Sequence, residues 1–380
     1  MQHPRNPFTY GDLVSDEAFT DRETELDQLA SDLRNGQNVA LIAPRRYGKS
    51  SLVKAALGRV HAEGMLVVEV DLMTTPTKER LAAKLAKSIH DDVASSLMKA
   101  REALRFFSTL RVVPTVTVDL NSSVRFSFAA SRGSSEIDAT IERLLELPAE
   151  LAADRGRRLV VFFDEFQEVS SLDPRLPALM RSIFQTQREV AHLYAGSKRE
   201  MMHNLFSDRN EPFFRSAKIM EIGAISSPLF ADYIRRQFDR TNRGVNDETV
   251  ERLLAVTGGH PYATQELAFA LWDLVPEGFT ATVSDFDAAL EAVLRSENAR
   301  FTLVWENATQ PQRLLLQALA AEPGRPFSNG YRLAHELPPV SGVQRALRPL
   351  VENELVRKTP EGLYELAEPF LSEWVLGYAS

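Results

Sequence analysis

Three consecutive residues, Gly48, Lys49 and Ser50, supply a permissive backbone joint, an ammonium and a hydroxyl. They close the octet Ala43-Pro44-Arg45-Arg46-Tyr47-Gly48-Lys49-Ser50. That octet fits the phosphate-cradling pattern G-x-x-x-x-G-K-[ST] at every fixed position but the first, where alanine replaces glycine. Each fixed residue type has a chemical reason. Glycine at 48 lets the chain turn tightly, so successive N–H groups can point at one anion. The start of a following helix adds further donors and the positive end of its dipole. Lys49 is placed to reach the β- and γ-phosphates, and Ser50 offers its hydroxyl to Mg²⁺. With Ser51 beside it, this loop is the expected nucleotide site. Alanine at 43 requires a backbone angle open to a residue with a Cβ.

A second group is Leu159-Val160-Val161-Phe162-Phe163-Asp164-Glu165, an apolar run ending in two carboxylates. Asp164 is expected to hold Mg²⁺, and Glu165 to orient and deprotonate an attacking water. A solvated acidic strand end is the plainer alternative, and a nearby phosphate loop weighs against it. The expected ligands are ATP and Mg²⁺, and hydrolysis is expected as well as binding. No Asn/Thr-Lys-x-Asp sequence for reading guanine is present, which favours ATP over GTP.

These groups need a scaffold. Residues 39–42 and 65–70 are short and apolar, as are 159–163, and read as strands buried on both faces. Residues 192–195 and 219–222 are two further strand candidates. Helical spacing covers 21–33, 49–60, 77–107, 136–153 and 176–188. Strand–loop–helix order implies an α/β fold with a parallel sheet, a P-loop NTPase core. Residues 112–118 and 124–128 alternate around Asn121-Ser122 and read as a hairpin insertion, about 112–130. From residue 227 strands are expected to cease, with helices at 229–239, 247–256, 261–274 and 283–295. A third segment shows helices at 312–321 and 342–352, then short strands at 356–359 and 363–366 about Pro360-Glu361-Gly362. The expected division is a core over 1–226, a helical lid over 227–305 and a winged helix-turn-helix over 306–380.

The 380 residues are 44% hydrophobic and 25% charged, with net charge −8 and no cysteine. Disulfides, cysteine nucleophiles and cysteine zinc sites are therefore excluded. The charge argues against coating nucleic acid by bulk electrostatics. The first ten residues lack the apolar stretch of a signal peptide, and no apolar run spans a bilayer. A cytoplasmic protein with no membrane partner is expected.

The quoted groups, with Phe166-Gln167 and Ala195-Gly196-Ser197, resemble the archaeal-type ATPases, STAND-branch relatives of the AAA+ P-loop NTPases. The likeness runs from about residue 6 to the C-terminal segment. It implies roles for further residues. Arg22, in Phe19-Thr20-Asp21-Arg22-Glu23-Thr24-Glu25-Leu26, lies in a segment that approaches the adenine in AAA+ relatives. Ser197 stands where that family senses the γ-phosphate, although an ordinary loop serine fits equally well. Arg215, in Pro212-Phe213-Phe214-Arg215, matches an arginine that reaches a neighbouring subunit's γ-phosphate. A surface salt bridge is at least as good a reading of it. Pro261, in Gly259-His260-Pro261, matches the lid proline that touches the nucleotide. A plain helix start is the alternative. A nuclease domain found in some members is not expected here.

The winged segment offers Gln344, Arg345 and Arg348 on one helix, with Arg357 and Lys358 on the wing. Residues 309–380 hold seven Arg/Lys against eight Glu, a poor balance for binding phosphates. Packing on protein is therefore favoured over duplex DNA. Three functions are weighed: an ATP-driven conformational or assembly switch, with a homo-oligomer or protein partner; a DNA-binding ATPase resembling replication initiators; and a small-molecule kinase. No acceptor-site signature supports the kinase.

Overall fold

The computed structural model describes residues 5–11, 22–94, 110, 115–118, 124–128, 134–359 and 361–378. Parts of several sequence readings lie outside these residues: Phe19 to Asp21, the helix beyond 94, the turn at Asn121-Ser122, and Pro360. The chain divides into a unit over Arg22–Gly223 and a second made of the N-terminal segment with Ala224–Ser380.

The first unit is built on a five-stranded sheet in the order β2-β5-β6-β1-β7. The strands are β1 (Val39–Ile42), β2 (Leu66–Asp71), β5 (Leu159–Asp164), β6 (Val190–Gly196) and β7 (Lys218–Glu221). Every pairing among them is parallel. Strands β1 and β6 are buried along their whole length, which explains their unbroken apolar sequence. Parallel strands need crossovers, and helices supply them. Helix α1 (Glu23–Arg34) precedes β1, and the crossovers carry α2 (Lys49–Ala62), α3 (Lys78–Ala94), α4 (Ser134–Arg155), α5 (Val169–Leu172), α6 (Leu176–Phe184) and α7 (Arg199–Ser207). Helix α1 buries Leu26, Leu29, Ala30 and Leu33, and carries acids in its first turn and Arg34 in its last, as the helix dipole favours. The residues of β3 (Thr115–Val118) and β4 (Val124–Ser127) form an antiparallel pair. On one face of the sheet Phe163, Phe166, Tyr194, Phe206 and Phe213 make a buried aromatic cluster.

The second unit holds α8 (Ser227–Asp239), α9 (Asp247–Thr257), α10 (Pro261–Leu274) and α11 (Val283–Asn307). Its later part holds α12 (Gln310–Ala321), α13 (Asn329–Ala334), α14 (Val340–Glu352), the antiparallel pair β10 (Val356–Lys358) and β11 (Tyr364–Leu366), and α15 (Pro369–Tyr378). That part is a winged helix. Capping boxes start α11 at Thr282/Asp285 and α12 at Thr309/Gln312. One apolar cluster runs from Phe230 to Val375 and includes Phe8. Trp374 packs on Phe301 and donates its indole N–H to Asn298 at 2.8 Å. The winged part thus shares its core with the helices before it.

Strands do not cease at residue 227, contrary to the sequence expectation. The pair β8 (Gly244–Val245) and β9 (Thr280–Ala281) is parallel. Two residues per strand leave no periodicity to read. Helix α11 runs 12 residues past its expected end at 295, because no proline or glycine stops it before Asn307. Helices α5, α7, α13 and α15 were not expected from the sequence.

Candidate active site

The loop after β1 and the carboxylates ending β5 meet at one edge of the sheet. Ile42 pairs with Gly196, so the C-terminal ends of β1 and β6 lie side by side, and β5 follows β6. Crevices at this edge of a parallel sheet are the usual place for ligands.

Ala43 is fully buried and donates its N–H to the Gly196 carbonyl at 3.3 Å. It is not among the positive-φ residues, so its backbone suits alanine as well as glycine. Arg46 and Gly48 do have positive φ, 65° and 81°. A Cβ on Gly48 would meet nothing within 4 Å, so glycine is needed there for its angle rather than for space. Pro44 is half-buried, Arg45 and Arg46 are exposed, and Tyr47 is buried. Helix α2 starts at Lys49 with no side chain capping it and no acid in its first turn. The start of such a helix is where an anion is favoured. Ser50 is exposed and Ser51 is buried.

Lys49 is only 8% exposed. Its Nζ donates to Asp164 Oδ1 and Glu165 Oε1, at 2.6 Å each. The other Glu165 oxygen, Oε2, accepts from Ser197 Oγ at 2.8 Å, from the Ser197 N–H at 3.4 Å and from Gln167 Nε2 at 2.6 Å. Burial pushes the Glu165 carboxyl upward, but the charge of Lys49 and the hydrogen bonds from Lys49, Gln167 and Ser197 outweigh it and bring its pKa down to about 2. Glu165 has φ 51°, a left-handed conformation that costs a non-glycine residue on the order of 1 kcal/mol. This bend starts the 3₁₀ turn Phe166–Glu168, which turns Gln167 back toward Glu165.

Gln167 was not assigned a role from the sequence. It is fully buried, and its Oε1 has no hydrogen-bond partner among the described residues. A buried acceptor without a donor costs on the order of 1–3 kcal/mol. Its sequence signals are its place two residues beyond the carboxylate pair and its inclusion in the motif that carries the family resemblance.

The other expected site residues lie elsewhere. Arg22 is buried and donates to Glu25 at 2.9 Å and to the Gly223 carbonyl, tying together the two ends of its unit. Arg215 precedes β7, whose Lys218 pairs with Val39 at the start of β1. It therefore stands at the opposite edge of the sheet from its own phosphate loop. It is exposed, has φ 52°, and its guanidinium lies 5.3 Å from the Phe214 ring centre. It makes no ion pair among the described residues, so the salt-bridge alternative is not seen. Pro261 belongs to the second unit, at the first position of α10, capped by His260. Gly259 before it has φ 70°, and a Cβ there would come 2.2 Å from the Ile225 carbonyl oxygen. Glycine is therefore required in the loop that presents Pro261.

Residues 19–267, more than half of the chain, match the family model of an ATPase domain predominantly from Archaea. The chain belongs to that family. Residues 299–377 match a second model, described as a "probable winged helix domain". Among solved structures, the chain is similar to a Walker-type ATPase of Pyrococcus abyssi, with TM-score 0.62 and 18% identity over 95% of this chain and 98% of that one. It is also similar to the ORC1 protein of Aeropyrum pernix, solved in complex with DNA, with TM-score 0.50 and 15% identity over 96% and 94% of the two chains. At these identities the likeness is one of fold. No curated protein matches it in sequence.

The site of this archaeal-type ATPase fits a magnesium nucleotide. Its uncapped helix start and the left-handed joints at Arg46 and Gly48 suit a polyphosphate. One ammonium faces two carboxylates, so the cluster keeps negative charge for a cation. Asp164 and Ser50 are oxygen donors of the kind Mg²⁺ prefers.

Proposed function

We propose that this archaeal-type ATPase hydrolyses Mg-ATP to ADP and phosphate and uses the cycle as a conformational or assembly switch. The observation that carries this reading is the Lys49 bridge to Asp164 and Glu165, at 2.6 Å each, beside an uncapped helix start. Lys49 exchanges the carboxylates for the β- and γ-phosphates. That exchange releases Glu165 to take a proton from water, whose oxygen bonds to the γ-phosphorus while the bond to the ADP oxygen breaks. Ser50 and Asp164 hold Mg²⁺, which neutralises phosphate charge when bound. The loop residues 43–51 surround the phosphates. Arg22 and Pro261 are assigned to the adenine side of the nucleotide, and Ser197 reports the γ-phosphate.

Arg215 cannot serve its own loop from the far edge of the sheet. Its assigned role is completion of a second copy's site, which makes turnover slow in the isolated chain and couples it to assembly. Measuring phosphate release and particle mass together tests this. Turnover that rises with protein concentration and ATP-dependent growth in mass support the switch; ATP binding with no turnover in any assembly state contradicts it.

A second reading, a DNA-binding ATPase, has one observation in its favour: Gln344, Arg345 and Arg348 all face outward from α14. Against it, Arg348 is paired with Glu352 at 2.7 Å and Arg357 with Glu365 at 2.6 Å. A duplex gel shift at low salt separates the two readings.

A further inference from the structure

The two oxygens of Glu165 are used differently. Oε1 meets the ammonium of Lys49, while Oε2 is gripped from two sides by Ser197 and Gln167. Ser197 supplies its hydroxyl and N–H at the end of β6. Gln167 supplies Nε2 from the 3₁₀ turn. The orientation of the Gln167 amide is set by this contact, since the reverse would place its oxygen against a carboxylate oxygen.

The amide is itself held from behind. A Cβ added to Gly196 would lie 2.3 Å from Gln167 Oε1, so the amide occupies the space that any other residue at 196 would fill. The segments Phe163 to Gln167 and Ala195 to Ser197 therefore interlock. Packing against Gly196 leaves the amide oxygen buried without a donor among the described residues, a loss that the fold accepts while the amide nitrogen is aimed at Glu165.

We propose that Gln167 is a positioning residue for the water-activating carboxylate, anchoring Glu165 through Oε2 and leaving Oε1 as the oxygen that receives the proton. The inference rests on the reading of Glu165 as the base. Gln167 is fully buried and its amide nitrogen donates to Glu165, so its loss acts on the rate through Glu165 and spares nucleotide affinity.

The first test needs no nucleotide. In nucleotide-free protein with ¹⁵N-labelled glutamine, the Gln167 side-chain amide protons exchange slowly with water, and Glu165→Ala abolishes that protection. Fast exchange in the wild type overturns the proposal. The second test compares Gln167→Met with wild type. The expected result is an unchanged melting temperature, ATP affinity within about threefold, and a single-turnover rate lower by on the order of tenfold or more. Gln167→Glu, which keeps the shape and turns the donor into an acceptor, gives the same split if the methionine variant folds poorly. In a Glu165→Ala background, adding Gln167→Met changes the residual rate less than twofold, whereas a purely structural role gives independent losses. Turnover that Glu165→Ala abolishes and Gln167→Met and Gln167→Glu leave intact overturns the positioning role alone. Turnover indifferent to Glu165→Ala removes the base assignment and the inference with it.

Discussion

The phosphate-loop edge of the sheet and the winged part of the second unit both carry charged side chains, but they handle them in opposite ways. At the loop edge, Lys49, Asp164, Glu165, Gln167 and Ser197 come from three separate stretches of chain and converge in a largely buried cluster. The cluster keeps excess negative charge, buried polar atoms and strained backbone, none of which stability alone explains. On the winged part, Arg348 is paired within its own helix and Arg357 with the facing strand of the wing, in the manner of ordinary surface pairs. The contrast shows where chemistry is built in: groups brought together from distant sequence at a local energetic cost, rather than charges that are merely numerous.

The largest expected effect comes from removing the cation at the centre of that cluster. Lys49→Ala is expected to weaken ATP binding and cut turnover by at least ~100-fold, read by nucleotide titration and phosphate release. Glu165→Gln should keep ATP affinity within a few-fold while lowering turnover by roughly 10²–10⁴. Equal losses in affinity and rate would blur the division between phosphate holder and base. Arg215→Ala sharpens the comparison differently, because this exposed residue sits at the other edge of the sheet. Its loss should reduce turnover only at concentrations where the chain assembles. A loss that persists in dilute monomer would instead give Arg215 a role within its own chain.

Two acid dependences separate site from core. Glu165 has its pKa lowered from 4.5 to about 2, so its contribution to stability is present above 4.5 and is lost as pH falls from there toward 2. Glu165→Gln should flatten the stability curve in that window. His192 is fully buried against Phe184, and burial lowers its pKa from 6.5 to about 3. It stays neutral in the fold but takes a proton when unfolded, so stability falls as pH drops from 6.5 toward 3. Replacing His192 with phenylalanine should remove that loss, as denaturant midpoints against pH would show. The smallest effect is expected at the winged part: Arg345→Ala and Arg348→Ala should leave ATP turnover unchanged, with or without duplex DNA. A DNA stimulation that these variants abolish would overturn the comparison itself.

The loop edge was legible because its parts are local. An apolar strand, a Gly-Lys-Ser turn and a helix give the phosphate loop, and an apolar strand ending in Asp164-Glu165 gives the carboxylates. Gln167 was not legible, because its role depends on Gly196, almost 30 residues away, lying against its amide in space. Arg215 could be matched by resemblance, but its place at the far edge follows only from the register of β7 on β1. The β8–β9 pair joins residues 244–245 to 280–281 through two-residue strands, too short for any pattern. Helix α15 and the shared core of the second unit depend on Trp374 finding Phe301, a contact no local signal announces.

The most direct test of the account is single-turnover ATP hydrolysis by Glu165→Gln beside wild type, with ATP affinity measured on the same samples. Retained affinity with turnover lower by at least about 100-fold is the predicted result. Unchanged turnover would contradict the account and remove Glu165 from the reaction.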